Sequence, residues 1–281
     1  MGSNCHPARA GAVQPRRWNA RRVIELTKTV WWLMWGLLAA MITGCGMSHD
    51  ADSMLPRTFV ASSGKTLPYR IFTPEKPDSG GRYPLVVFLH GGTGSGVDNV
   101  AQISGANWHG AHVWTHTENQ ARHPCFVLAP QLPEQWRWDA VGEPHLSLYA
   151  EALVELLADL KKELPIDENR VYLTGQSLGG WGTWDLIAKR PGLFAAAVPV
   201  CGGGDPSAAA RFRAVPVWVF HGRRDPQIPV ERSREMVAAL QEVGGTVRYT
   251  EYETGGHAVW EWAYSERDLV DWLFSQHKAS E

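Results

Sequence analysis

Residues 171–184 read VYLTGQSLGGWGTW. The first four residues form a short, unbroken apolar run, which is typical of a strand buried on both faces of a parallel sheet. A helical pattern begins near Leu178 and continues to Lys189. Between the two lies the spacing Gly-x-Ser-x-Gly, centred on Ser177. A serine on so tight a strand-to-helix turn needs small residues two positions before and after it, because larger side chains would clash.

The same alternation of strand and helix extends along the chain. Seven other segments predict strands, the first two as a hairpin: Arg57–Val60, Leu67–Thr73, Leu85–Leu89, Phe126–Ala129, Ala195–Val200, Val217–Phe220 and Val247–Tyr252. Three other segments predict helices: Leu146–Leu164, Val230–Val243 and Trp260–Gln276. The pattern predicts one α/β domain, a largely parallel, doubly wound sheet of eight or so strands with helices on both faces. In such sheets ligands bind beyond the carboxyl ends of the strands.

The composition supports a globular domain. The chain has 281 residues, of which 44% are hydrophobic and 20% charged, so a sizeable core can be buried and wholesale disorder is excluded. The 27 basic residues nearly balance the 29 acidic ones. Because binding to phosphates needs an excess of Lys and Arg on one face, nucleic acid is not an expected partner.

The amino-terminal segment has a different character. Residues 1–44 hold six basic residues against Glu25 alone, and Val30–Ile42 is a run of 13 uncharged residues. At about 1.5 Å per residue a helix of that length is shorter than the roughly 30 Å hydrocarbon layer, so the run predicts the core of a signal peptide rather than a membrane span.

The uncharged run ends in Ile42-Thr43-Gly44-Cys45, which resembles the lipobox of bacterial lipoproteins, in which the cysteine is lipidated. An ordinary signal peptide or an uncleaved anchor is the alternative. The predicted organisation is therefore a signal peptide over residues 1–44, a tether over 45–56 and a catalytic domain over 57–277. We expect the protein to be exported and held at a bacterial membrane, on the periplasmic or the cell-surface side, by lipid on Cys45.

Two residues downstream of Ser177 could activate it. A serine hydroxyl is a poor nucleophile until a base takes its proton, and the base needs a third group to orient it. On this kind of sheet the chain order is serine, acid, histidine. His257 lies in a Gly-Gly-His loop directly after the last strand, and Asp225 follows the strand before it. We predict His257 as the base and Asp225 as the acid, with Asp205 as the competing acid.

A charge that develops on a substrate oxygen needs backbone N–H donors. Leu178, the residue after Ser177, supplies one. The second is predicted at Gly92, within the glycine-rich loop HGGTGSG of residues 90–96. No Gly-Lys-Ser/Thr follows this loop, so it does not match a phosphate-binding loop.

The histidines of residues 109–116 raise the alternative of a metal site. His109, His112 and His116 have a spacing that could place them on one face of a helix. No matching ligand motif accompanies them, so neither a metal nor another cofactor is predicted.

These residues resemble the α/β-hydrolases, specifically the carboxylesterase group often labelled predicted peptidases, which is related to polyhydroxybutyrate-depolymerase-like and feruloyl-esterase-like enzymes. The resemblance rests on Leu89–Gly92, Gly175–Trp184, Cys201–Asp205, His221-Gly222 with Asp225, and Gly256-His257. It implies an α/β-hydrolase fold and hydrolysis of carboxylic esters, with Ser177 as nucleophile. Family members often carry a polar residue after the histidine, where this chain has Ala258, so contacts with the leaving group are less well matched.

The loops bear on substrate access. Only 16 residues, Cys201 to Pro216, join the sixth and seventh strands, which leaves no room for an inserted cap domain there. An open site rich in tryptophan suits an aryl, short-acyl or glycan-linked ester. The predicted substrate contacts are Trp181, Gln131, Trp136 and Trp260, although Trp181 could instead pack its helix against the sheet. A peptidase or acyltransferase with the same triad, or a non-catalytic binding lipoprotein on a hydrolase scaffold, is the alternative function.

Two cysteines follow the predicted signal segment and tether. Cys125 precedes its strand and Cys201 follows its own, which places them at opposite ends of a parallel sheet. That separation exceeds the roughly 7 Å over which a disulfide can form, so no disulfide is expected.

Overall fold

The computed structural model describes residues 53–75 and 80–278. All of the described elements belong to one compact unit, Asp50–Glu281. The predicted signal peptide, Cys45 and most of the predicted tether lie outside the described residues. No helix among the residues described is long and apolar enough to span a membrane.

Eight strands form a single open sheet. They are β1 (Leu55–Val60), β2 (Thr66–Phe72), β3 (Tyr83–Leu89), β4 (Phe126–Pro130), β5 (Ile166–Gln176), β6 (Ala196–Val200), β7 (Val217–Gly222) and β8 (Val247–Tyr252). Their order is β1-β2-β4-β3-β5-β6-β7-β8. The β1–β2 and β2–β4 pairs are antiparallel, and the other pairs are parallel. The predicted eight-stranded, mostly parallel sheet and its initial hairpin are confirmed.

The described part of the chain has seven α-helices, five of them between strands and two after β8. They are α1 (Trp108–His112), α2 (Thr117–Arg122), α3 (Leu148–Glu163), α4 (Leu178–Lys189), α5 (Glu231–Glu242), α6 (Trp260–Tyr264) and α7 (Leu269–Phe274). The predicted helix from Leu178 to Lys189 has the predicted bounds, and α3 and α5 are one or two residues shorter at each end than expected.

The prediction of one continuous helix over Trp260–Gln276 is wrong. The chain breaks between α6 and α7, where Glu266 N donates to Ala263 O and Leu269 N donates to Glu266 O. A continuous helix would put Arg267 on the same face as Trp260 and Phe274, both of which are buried. The break keeps this arginine out of the core, since each short helix buries its own apolar face.

A hydrophobic core lies on each face of the sheet because alternate strand residues point to opposite sides. Along β3, Leu85, Val87 and Leu89 join the core that includes α3, α4 and α5. Val86 and Phe88 join the other core, which includes α1, α6 and α7. Helices therefore cover both faces, as predicted for a doubly wound sheet.

The carboxyl ends of the parallel strands meet at one edge of the sheet, where the connection between β6 and β7 is short. Between β6 and β7 the only helical element is a six-residue 3₁₀ helix, Pro206–Arg211, so no cap domain is inserted at this point of the described chain. Cys125 lies directly before β4 and Cys201 directly after β6, and both thiols are free and buried. The predicted absence of a disulfide between them agrees with the structure.

Candidate active site

Ser177 occupies the single residue between β5 and α4. Its backbone has φ +53° and ψ −114°, a conformation that residues with a Cβ rarely adopt, and its N–H donates to Val200 O at 2.9 Å. Its two flanking glycines are required by space. A Cβ on Gly175 would collide with the carbonyl oxygen of Gly179, and a Cβ on Gly179 would collide with that of Leu89. The motif thus forms the tight turn that the sequence predicted.

The structure brings together the three predicted members of the triad. His257 Nδ1 lies 2.7 Å from Asp225 Oδ2, and His257 Nε2 lies 2.9 Å from Ser177 Oγ. An ionised carboxylate only accepts hydrogen bonds, so Nδ1 carries the hydrogen and Nε2 is free to accept the hydroxyl proton of Ser177. The arrangement has the geometry of a serine nucleophile, an imidazole base and an acid that orients the base.

Asp225 is fixed by the loop after β7. Its side chain has no exposed surface, and Oδ1 accepts hydrogen bonds from Gln227 N at 2.8 Å and Ile228 N at 2.9 Å. Gly222, at the end of β7, allows the loop that carries His257 to approach, because a Cβ there would collide with the carbonyl oxygen of Gly256. Neighbouring strand ends thus deliver the acid and the base to the same point.

Asp205, the competing acid, has a different environment. Its Oδ1 accepts hydrogen bonds from Ser207 N at 2.9 Å and from Ser207 Oγ at 2.7 Å. This is the usual role of an aspartate at the start of a helix, here the 3₁₀ helix that begins at Pro206. The structure therefore pairs Asp225, and not Asp205, with His257.

Two backbone amides are available beside Ser177. Leu178 is the first residue of α4, so its N–H has no acceptor within the helix and lies at the positive end of the helix dipole. Gly92 is exposed, and its N–H makes no hydrogen bond within the described part of the chain. Gly91 is different, because its N–H donates to Asn107 Oδ1 at 2.9 Å. A Cβ on Gly91 would lie 3.4 Å from Gln176 O, which places this loop next to the residue before Ser177.

The ring of His90, the first residue of the glycine-rich loop, supports the rest of the loop. Its ring is completely buried, and burial lowers its pKa to about 4, so it is neutral near pH 7. Nε2 accepts a hydrogen bond from Leu132 N at 2.9 Å, and Nδ1 donates to Gly91 O at 2.7 Å. A Cβ on Gly94 would lie 2.6 Å from the ring, so the loop packs directly against it.

Gln131 is placed differently from the prediction. It has no exposed surface, and its amide nitrogen donates to Gly94 O at 3.2 Å and to Asp98 Oδ1 at 2.7 Å. Its amide oxygen accepts from Asn99 N at 2.6 Å. The structure therefore corrects the substrate-contact prediction: Gln131 holds the loop that carries Gly92 and has no surface that a substrate reaches.

The predicted tryptophan contacts divide into two groups. Trp260 packs edge-on against His257, with ring centroids 5.4 Å apart, and Trp181 is half-buried with its outer ring against Gly203, in the loop after β6. Both lie beside the triad. Trp184, one turn further along α4, is fully buried against Phe212 and packs the helix against the sheet.

The ring of Trp136 contacts residues outside the triad. It is 38% exposed, packs against Tyr149, and has Lys65 Nζ 4.9 Å from its ring centroid. Lys65 lies in the β1–β2 turn, and β2 is three strands from β5 in the sheet, roughly 14 Å at the usual strand spacing. None of these contacts is with a triad residue, and the substrate contact of Trp136 stays a prediction.

The three histidines of residues 109–116 surround Trp108. The rings of His109, His112 and His116 lie 5.1, 5.2 and 5.7 Å from its ring. Their nitrogen atoms form no cluster of metal-ligand dimensions in the described residues. Cys201, Asp225 and His257 do have ligand atoms within 4.8 Å of one another, but there the carboxylate and imidazole bind each other.

Several of the known proteins that this chain resembles are esterases. Residues 138–276 match the model of the dienelactone hydrolase family. A probable feruloyl esterase C from Aspergillus terreus is 27% identical over 63% of this chain and 62% of its own length. A bifunctional acetylxylan esterase/xylanase from Neocallimastix patriciarum is 35% identical over 50% of this chain and 19% of its own.

A solved structure is more similar. The crystal structure of a thermostable esterase superimposes with a TM-score of 0.78 and is 43% identical, over 81% of this chain and 64% of that one. The chain spans less than two thirds of the length of each of these three proteins. The chain thus has the α/β-hydrolase fold, and the relatives and the solved structure that it resembles are esterases.

Proposed function

We propose that this protein is a serine hydrolase that cleaves carboxylic esters through an acyl-enzyme. The observation that carries the proposal is the chain of hydrogen bonds from Ser177 through His257 to Asp225, at the carboxyl edge of the sheet. The esterase relatives support the same reaction class.

In the first half of the reaction Ser177 Oγ attacks the ester carbonyl carbon while its proton passes to His257 Nε2. The carbonyl oxygen becomes an anion and accepts hydrogen bonds from the N–H groups of Leu178 and Gly92. The tetrahedral intermediate then collapses, the bond to the alcohol oxygen breaks, and His257 returns the proton to the departing alcohol. Asp225 keeps the imidazole in the tautomer that this transfer requires.

The second half repeats these steps with water. His257 takes a proton from a water molecule, and the hydroxide attacks the acyl carbon. The bond to Ser177 Oγ breaks, the proton goes back to Oγ, and the carboxylic acid leaves. The enzyme returns to its starting state with no net change of its own.

Aryl, short-acyl and glycan-linked esters are the proposed substrates. The site has no inserted cap between β6 and β7, so a bulky alcohol has room outside the triad. Trp260 and Trp181 supply aromatic surface beside Ser177, on which aryl or sugar rings pack well. Two relatives carry the names feruloyl esterase and acetylxylan esterase, which match this class.

The test is hydrolysis of a short-chain aryl ester such as 4-nitrophenyl acetate. Ser177→Ala should lower kcat by about 10³-fold or more, because the nucleophile is removed while the fold remains. Ser275→Ala changes an exposed serine in the same protein and should leave the rate unaltered. Circular dichroism establishes that both variants are folded. Turnover by the folded Ser177→Ala protein at the native rate would disprove the assignment.

The same triad could act on amides or transfer the acyl group to an alcohol. An ester and an amide with a common acyl group, each assayed with and without an added alcohol, distinguish these reactions. We expect the ester to be cleaved with much the higher kcat/KM and water to be the main acceptor. Faster cleavage of the amide would identify a peptidase.

We also propose export and lipid anchoring at Cys45, on the strength of the lipobox-like Ile42–Cys45 segment. Cells that express the full chain should incorporate radiolabelled palmitate into the protein, and Cys45→Ser should abolish the incorporation. Cys5→Ser is the matched control, since Cys5 lies within the predicted signal peptide and should not affect labelling. Equal labelling of the two variants would reject Cys45 as the lipidation site.

A further inference from the structure

A second histidine, His221, contacts the acid of the proposed triad. It is the penultimate residue of β7, and its side chain has no exposed surface. Nε2 lies 3.0 Å from Ile228 O and 3.3 Å from Asp225 Oδ2. Nδ1 lies 2.7 Å from Ser233 Oγ, near the start of α5. The ring thus bridges Asp225 and the helix that follows it.

These contacts assign the hydrogen on the ring. Burial holds the pKa of His221 below its ordinary value, so the imidazole is neutral at neutral pH. A neutral imidazole has one N–H and one bare nitrogen. Nε2 faces two acceptors, a carbonyl and a carboxylate, so it carries the hydrogen. The one hydrogen of the Ser233 hydroxyl can donate either to Gly202 O, 3.0 Å away, or to Nδ1, and in the Nε2–H tautomer it turns to Nδ1.

Asp225 consequently has donors beside both carboxylate oxygens, although His221 Nε2–H is shared with Ile228 O. Oδ1 accepts from two backbone amides, and Oδ2 accepts from His257 Nδ1 and faces His221 Nε2–H. The other titratable group beside Asp225 is the thiol of Cys201, after β6, which bonds to His257 O at 3.2 Å. Burial raises the pKa of that thiol to about 12, so it is uncharged and does not compete for the carboxylate.

We propose that His221 is a positioning residue of this site: its Nε2–H holds the Asp225 carboxylate in the orientation that presents Oδ2 to His257. The inference rests on the proposed serine hydrolase function. A second donor on Oδ2 spreads the negative charge of the carboxylate, so it also limits how strongly Asp225 favours a protonated His257. His221 therefore acts on the rate through geometry and on the pH profile through charge.

Two substitutions separate these contacts. The amide of Gln in His221→Gln reaches about as far as Nε2 and can still donate to Asp225. The amide of Asn in His221→Asn reaches only as far as Nδ1, so it can bond to Ser233 but leaves Asp225 without this donor. A hydrogen bond to a charged group contributes enough that its loss corresponds to about 10-fold or more in kcat/KM.

The readout is the pH dependence of kcat/KM on an aryl ester. His221→Gln should keep kcat/KM within about 3-fold of the native value and should keep the native pH profile. That loss is smaller than the one expected when a hydrogen bond to a charged group is removed. His221→Asn should lower kcat/KM by about 10-fold or more. Its kcat/KM should also rise at higher pH than that of the native protein, because an Asp225 carboxylate without this donor carries more charge and stabilises protonated His257. A merely structural role would lower the rate of both variants without moving the profile, and that result would overturn the proposal.

A measurement on the native protein covers the case in which a variant does not fold. In ¹⁵N-labelled protein, NMR should show His221 as the neutral Nε2–H tautomer across the neutral pH range. An Nδ1–H tautomer would leave no donor towards Asp225 and would overturn the proposal. Fluorophosphonate labelling of native Ser177 tests the proposed serine hydrolase function separately from the proposed role of His221. A protein that is not labelled fails as a serine hydrolase, whereas a labelled protein with the wrong tautomer loses only the role of His221.

Discussion

Gly179 packs so closely against Leu89 that a Cβ at position 179 would collide with the carbonyl oxygen of residue 89. This contact joins the start of α4 to the end of β3. The loop after β3 carries Gly92, and α4 begins with Leu178, so the contact sets the separation of the two proposed oxyanion donors. A backbone-to-backbone contact of this kind cannot be relieved by rotating a side chain.

Gly179→Ala should therefore damage both stability and catalysis. We expect the free energy of unfolding to fall by about 1–3 kcal/mol, the usual cost of overpacking, and kcat to fall because the donors move apart. Gly192→Ala is the matched control, since nothing lies within 4 Å of a Cβ at that position. Urea unfolding and aryl-ester hydrolysis measure the two effects. Native stability of Gly179→Ala would contradict the described packing.

The acid of the triad is tested by a pair of equivalent substitutions. Asp225→Asn should lower kcat by about 10⁴-fold, because an amide facing His257 Nδ1 favours the wrong tautomer. Asp205→Asn should have little effect, since asparagine also serves at the start of a helix. Steady-state kinetics on one ester compare the variants. A larger loss in Asp205→Asn would transfer the acid role to Asp205.

The two tryptophans also form a matched pair. Trp260→Ala removes the ring that packs against His257 and should lower kcat/KM for aryl esters by about 10-fold, the size expected for a lost aromatic contact. Trp136→Ala removes an exposed ring on the β2 side of the molecule and should leave kcat/KM unchanged. If Trp136→Ala has the larger effect on a small soluble ester, the placement of the substrate beside Trp260 is wrong.

His90 should make the stability of the protein depend on pH. Its pKa is about 4 in the folded state and about 6.5 in the unfolded chain, so the unfolded chain binds the proton first as pH falls. The free energy of unfolding therefore has its full value above about pH 6.5 and falls by up to about 1.4 kcal/mol per pH unit below it. His221, whose pKa is also lowered by burial, adds to this slope.

Urea unfolding between about pH 6.5 and pH 5 measures this slope in a range where few carboxylates titrate. His90→Gln should be less stable at neutral pH but should show a slope smaller by about one proton. An identical slope in the two proteins would show that His90 is protonated in the folded state.

The sequence predicted the parts of the fold that depend on local patterns. An initial hairpin and a series of short, mostly apolar runs predicted the eight strands, and the turn around Ser177 followed from the need for small residues on either side of it. The last helix was predicted less well, because the apolar residues of 260–276 suggest one element. Only the tertiary environment shows that Arg267 would enter the core if the helix continued.

The triad residues were easier to predict from the sequence than the residues that contact substrate. Ser177, Asp225 and His257 each follow a strand, so the topology of a parallel sheet brings them together. Gln131 and Trp136 also follow a strand, β4, yet one is buried under the loop of residues 90–96 and the other lies on the β2 side.

The supporting contacts were harder to predict. Asn107 bonds to Gly91, and Ser233 bonds to His221, over contacts that no local pattern indicates. Such contacts depend on how distant loops pack, and a single sequence carries no signal for them.

Activation of Ser177 by His257 and Asp225 is the basis of the proposed reaction. Reaction of the native protein with a fluorophosphonate, followed by intact mass and peptide mapping, tests it most directly because only an activated serine reacts rapidly. We expect a single adduct on Ser177, no adduct in Ser177→Ala, and labelling slowed by about 10³-fold in His257→Ala. An unlabelled native protein, or labelling of Ser177→Ala at the native rate, would contradict it.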